Sequence, residues 1–175
     1  MGSKYKQFDR EALSLKPLEK REHNLDLSIL KSLESYAITQ KGLEETASAI
    51  VKAMNKKSAV IMMMGAHVIR AGVQRYLIDL IENGFVSCLA VNGACTIHDY
   101  ELSLCGATTE SVARYIKDGS FGLWSETGYL NDIITKAAKK KLGMGEAIGK
   151  HIWESDMKYK EYSVLAAAYR ARVPV

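Results

Sequence analysis

Cysteine is scarce in this chain and carries no pattern. Cys88, Cys95 and Cys105 are an odd number without the paired spacing of a metal site, so neither a disulfide framework nor a bound metal is expected. Cys88 falls in an apolar stretch and reads as a packed thiol. No leader-like stretch precedes it, so a reducing, cytoplasmic setting is the expectation. No apolar run approaches the ~18–20 residues that cross a bilayer, and no membrane partner is expected. Met1-Gly2 invites comparison with a myristoylation signal, but Lys6 stands where that motif prefers serine or threonine. A strong charge of one sign is also missing. The 24 basic and 20 acidic residues leave a formal +4, too little to imply a nucleic-acid surface. Lys139-Lys140-Lys141 reads as a solvated helix end, where cations suit the dipole. Neither the GxSxG elbow of hydrolases nor the dinucleotide fingerprint GxGxxG is present, since Gly65 and Gly72 are seven apart. Internal repeats and low-complexity segments are absent, and there are only two prolines.

What is present suits one globular domain. The 175 residues are 47% apolar and 25% charged, enough to bury about two-thirds of the unfolded surface. The organising stretch is Ser58 to Leu104. An apolar run, Ala59 to Met64, meets Gly65. Val68, Ile69, Val73, Tyr76, Leu77, Leu80 and Ile81 then share one helical face, predicting a helix of roughly four turns. Asn83-Gly84 is its stop signal. A second apolar run, Val86 to Val91, leads to the turn Asn92-Gly93-Ala94 and a helix carrying His98-Asp99. Strand, helix, strand, helix is the unit of a parallel sheet buried on both faces. The expected fold class is therefore α/β, a Rossmann-like parallel sheet flanked by helices.

Around that unit the pattern is plainer. Residues 1–24 are dense in charge and interrupted by Pro17, and read as an arm, loose or lying on a partner subunit. Residues 25–175 form the domain. Leu27, Ile29, Leu30 and Leu33 permit a short helix in Leu25–Tyr36, and Leu43, Ala47, Ile50 and Met54 predict another over Lys41–Asn55. Met62-Met63-Met64 reads as core filling rather than a soft-metal site. Cys105–Glu110 reads as a loop, and Ser111–Lys117 as a short helix. Asp118–Trp124 is an irregular connection whose aromatics either line a pocket or anchor the loop. Helices are expected over Glu126–Leu142 and Glu146–Glu154, and Trp153 reads as a half-buried cap. After the helix-forming run Ser163–Tyr169, Val173-Pro174-Val175 begins what reads as a further strand. A strand edge without a covering helix is a poor ending, so the chain is expected to be truncated at its C-terminus, the N-terminal portion of a longer protein.

Parallel sheets place ligands outside the carboxyl ends of their strands. The candidate loops are Met64-Gly65-Ala66-His67 and Asn92-Gly93-Ala94-Cys95, each with a glycine ahead of a helix N-terminus that suits phosphate. The same glycines would also serve tight strand-to-helix turns with no ligand. His67 either contacts a cofactor or makes a local turn hydrogen bond. His98 can exchange protons near neutrality, and Asp99 can hold a cationic amine. The alternative readings are a structural His98 and an Asp99 that serves only as a helix-terminal charge. Adjacent helical residues do not face each other, so the two are not expected to form one dyad.

The run Gly65–Leu102, with Tyr36–Leu43, Ser163–Tyr169 and Val173–Val175, resembles the deoxyhypusine synthase family, and the similarity runs over most of Leu25–Val175. The resemblance implies NAD-dependent transfer of an aminobutyl group from spermidine to a lysine or amine acceptor, on a Rossmann-like fold assembled as a homotetramer. It implies cofactor contacts at Gly65, Ala66, His67, Val68, Ile69, Asn92, Gly93 and Ala94, and polyamine contacts at His98 and Asp99. It further implies a nucleophilic lysine beyond Val175. Eukaryotic members carry adjacent glutamates near the position of Ile97-His98, and some relatives keep a histidine–aspartate pair there. A histidine cannot hold a diammonium as two carboxylates do. The neighbouring readings are a homospermidine-forming synthase and a non-catalytic oligomeric scaffold.

Overall fold

The structure, a computed structural model, describes residues 3–7, 9–35 and 40–175. Met1-Gly2 and Tyr36 to Thr39, on which part of the resemblance rests, lie outside them. In chain order the elements are β1 (His23–Asp26), α1 (Leu43–Asn55), β2 (Ile61–Met64), α2 (Ala66–Arg70), α3 (Gln74–Glu82), β3 (Cys88–Val91), α4 (Gly93–Cys105), β4 (Ala107–Glu110), α5 (Val112–Tyr115), α6 (Ser125–Gly128), α7 (Leu130–Lys139), α8 (Met144–Glu154) and α9 (Val164–Ala171). The chain is α/β, with β2 and β3 parallel in the register Ile61↔Cys88 to Met64↔Val91. The connection between them runs through α2 and α3, as parallel neighbours require.

Where one long helix is expected, two form. Gly72 adopts φ 77°, and a Cβ there would sit 1.8 Å from the Ile29 carbonyl oxygen. The close passage of the 27–31 segment, sealed by Lys31 N–H donating to Gly72 O at 2.8 Å, ends α2 and starts α3 afresh. The helix expected in Leu25–Tyr36 does not form over its described residues. Leu25 and Asp26 belong to β1, antiparallel to β4, and a single 3-10 turn, Leu27–Ile29, follows. Cys105–Glu110 is correspondingly the end of α4 and a strand, not a loop. The domain boundary expected at residue 24 runs through β1. The arm before it lies on its own domain: Leu18 is buried, and Lys16 exchanges backbone hydrogen bonds with Leu123 and Ser125.

α4 is the central element. Asn92 caps its start by accepting from Cys95 N–H at 3.0 Å, and Gly106 ends it in the left-handed conformation. One side joins Cys95 and Leu102 to Ile69, Leu77, Ile81, Leu89 and Val164. Another brings Tyr100 to Leu130, Ile133, Ile148, Ile152 and Leu165. Val173-Pro174-Val175 meets β3 through one bond, Leu89 N–H to Pro174 O at 2.9 Å, without forming a strand. The sheet is not covered on both faces as expected. Ile61 and Met63 are 60% and 81% exposed, and α1 has no buried residue. No described helix is long and apolar enough to cross a membrane.

Candidate functional site

β2 and β3 end side by side, and their carboxyl ends open into a groove of about 480 Å³ bounded by Met63, Met64, Gly65, Ala90, Val91 and Asn92. Gly65 brings the backbone close to Asn92, whose Nδ2 lies 3.5 Å from where a Cβ would stand. At Gly93 an added Cβ meets no atom within 4 Å. Of the other loop residues, Ile69 is fully buried and Val68 packs against the same core cluster, because α2 turns that side onto α4. His67 Nε2 lies 3.5 Å from Arg70 Nη1.

The first turns of α4 lead from this groove into a second cavity of about 330 Å³. Ala94, Ile97, His98 and Glu101 share one helical face there. Opposite them stand Glu110, Phe121 and Trp124. Trp124 both lines the cavity and anchors its loop: it is 1% exposed and packs edge-on against Tyr115. Its Nε1–H donates to Glu110 Oε2 at 2.8 Å, and Gly122 N–H donates to Glu110 Oε1 at 3.0 Å. Glu110 is thus a carboxylate fixed by two neutral donors.

Glu101 is the most connected acid. It is 1% exposed and accepts two guanidinium hydrogen bonds from Arg21, at 2.8 and 2.7 Å. Thr108 and Thr127 hydroxyls donate to it at 2.6 and 2.7 Å. Burial pushes its pKa up, but the Arg21 bonds and charge, with the two threonines, hold it below the ordinary value. His98 Nδ1 lies 2.7 Å from Thr108 Oγ1. Burial lowers its pKa, with Arg70, Arg21 and His67 adding to that and Glu101 opposing it, which favours the neutral ring. At the rim Thr109 has φ 67°, a strained position for a β-branched residue, of the sort that collects at binding sites. Thr109 Oγ1 and Arg70 Nε are buried without a hydrogen-bond partner.

Asp99 is turned away from this cavity. It is 2% exposed and accepts from Ser163 Oγ at 2.6 Å, Val164 N–H at 2.9 Å and Leu165 N–H at 3.1 Å. It secures the start of α9, which corrects the expectation of a polyamine contact for this side chain. Among the described residues no cluster suited to a metal ion occurs.

The sequence pattern of the family described as "Arginine dihydrolase ArgZ-like, C-terminal, Rossmann fold" matches residues 44–160, well over half of the chain. The chain belongs to this family. The description places the parallel pair and its groove in a Rossmann fold and names no deoxyhypusine synthase. No curated protein matches the chain. In this ArgZ-like domain three cavity residues were not singled out by the sequence pattern, for two different reasons. Glu101 stands three residues after His98, a helical spacing visible in the sequence. Glu110 and Arg21 reach the cavity only through the pairing of β1 with β4 and the packing of the arm, which no local pattern announces.

Proposed function

We propose that this domain serves an NAD-dependent enzyme that oxidises an aliphatic amine and passes its carbon chain to an acceptor amine, as in aminobutyl transfer from spermidine by deoxyhypusine synthases. The observation that carries this reading is the cavity beside the groove, where a histidine and a carboxylate face an apolar, aromatic wall. An alkylammonium suits such a site, because the carboxylate meets the cation while Ile97, Phe121 and Trp124 cover the methylenes. The family description names an arginine dihydrolase, and arginine, like spermidine, is an aliphatic chain ending in a cation.

The groove suits the cofactor's diphosphate on two grounds. Space is open above Gly93, and Asn92 caps Cys95 N–H, leaving the first amides of α4, at Gly93 and Ala94, to face an anion. When bound, NAD supplies hydride acceptance. The protein's part is then to seat the amine against Glu110, screen it from water with Phe121 and Trp124, and take a proton at His98. We place this chemistry in the cytoplasm, in a homo-oligomer.

Calorimetric titration of NAD into the protein and its Gly93→Val variant tests the groove. The wild type should bind, and the variant should lose binding by at least tenfold while keeping its melting temperature, because the new side chain points into open space. Equal affinities would remove this turn from the site. Formation of reduced nicotinamide on adding spermidine or another diamine tests the reaction itself.

A further inference from the structure

His98 belongs to a chain of hydrogen-bonded side chains whose proton positions follow from their chemistry. Glu101, held by two guanidinium bonds from Arg21, is an ionised carboxylate and can only accept. The Thr108 hydroxyl lies 2.6 Å from Glu101 Oε2. A hydroxyl has one proton, and here it goes to the carboxylate. Thr108 Oγ1 is left with acceptor capacity alone, and His98 Nδ1 lies 2.7 Å from it. The hydrogen in that contact therefore comes from the ring, since the other tautomer would set two lone pairs against each other.

We propose that Arg21, Glu101 and Thr108 are positioning residues that hold His98 as its Nδ1–H tautomer, leaving Nε2 as the base for a substrate ammonium in the cavity. Deprotonation at this nitrogen rests on the amine-oxidising reading above; the tautomer does not. In the step, one N–H proton of the ammonium moves to Nε2, giving an imidazolium and a free amine. The lone pair so released would make the α-carbon a hydride donor, the two-electron acceptor being the NAD that the groove would hold. The relay suits the imidazolium as well, because its Nδ1–H already points through Thr108 toward the anion of Glu101. Arg70, which lines the same cavity, disfavours the imidazolium.

Long-range proton–nitrogen correlation spectra of histidine-labelled protein, recorded where the rings are neutral, report which nitrogen carries the hydrogen. The peaks of His98 are identified by their loss in His98→Asn. The expected result is a protonated Nδ1 and a bare Nε2. Thr108→Val should convert His98 to the Nε2–H tautomer and cut amine-dependent turnover by about 10²–10⁴-fold, the usual worth of base catalysis. Thr108→Ser, which keeps the hydroxyl, should restore both. An Nε2–H tautomer in the wild type, or one unchanged by Thr108→Val, would overturn the assignment. Absence of amine turnover in a wild type that shows the Nδ1–H tautomer would instead defeat the base role and the amine reading, leaving the assignment of the proton standing.

Discussion

His98 and Asp99 are neighbours in sequence with opposite duties. About 100° of helical rotation separates successive residues, enough to send one side chain into the cavity and the other into the core. Asp99 supplies acceptors for a hydroxyl and two backbone amides at the start of α9. Asp99→Ala would leave those donors buried and unpaired, at a cost of about 2–4 kcal/mol. Urea unfolding should show the loss, while NAD affinity per folded molecule should not change. Burial raises the Asp99 pKa from 3.8 to about 6, with its three donors pulling the other way. A carboxyl whose folded value is raised holds its proton more tightly when folded. Its contribution is therefore fullest below pH 3.8 and shrinks as pH rises to about 6. The destabilisation by Asp99→Ala should accordingly be larger in acid than at neutrality.

At the scale of elements, the break between α2 and α3 shows how one contact overrides a sound periodicity. The apolar spacing from Val68 to Ile81 is continuous, and nothing local forbids a single helix except Gly72. That glycine is needed twice, for its positive φ and for the Ile29 carbonyl lying where a Cβ would stand. Gly72→Ala should cost about 3–5 kcal/mol, read as a fall in the urea midpoint and faster proteolysis within residues 27–31. A variant as stable as the wild type would show that the 27–31 segment can shift without penalty. The pairing of β1 with β4 is the same lesson in a sheet. The apolar residues after Leu25 permit a helix, but strand partners beginning eighty residues later capture the start of that segment.

For the molecule as a whole, the notable feature is what the chain does not cover. Ile61 and Met63, on the outer face of β2, are 60% and 81% exposed, and Leu43 and Val51 of α1 are 48% and 42% exposed. Apolar residues at such exposure, contiguous along a strand, favour association. Sedimentation velocity across a concentration series should show oligomers, and Ile61→Lys with Met63→Glu should shift the population toward monomer. A wild type that stays monomeric at every concentration would count against the homo-oligomer proposed above.

The sequence by itself determined whatever depends on neighbours along the chain. The strand–helix–strand–helix order within Ser58 to Leu104, the turn at Asn92 and the helices near the C-terminus were legible, because period and stop signals are local. His98 was singled out by residue type and by its place after a predicted strand. The tertiary structure alone decided which groups meet. Arg21, from a segment that reads as an arm, loose or lying on a partner subunit, neutralises Glu101 eighty positions away, and Glu110 joins the cavity because its strand pairs with β1. Asp99 was claimed by a helix end that begins at Ser163. A buried charge must find its partner wherever the fold brings one within reach, and that distance in space has no counterpart in distance along the sequence.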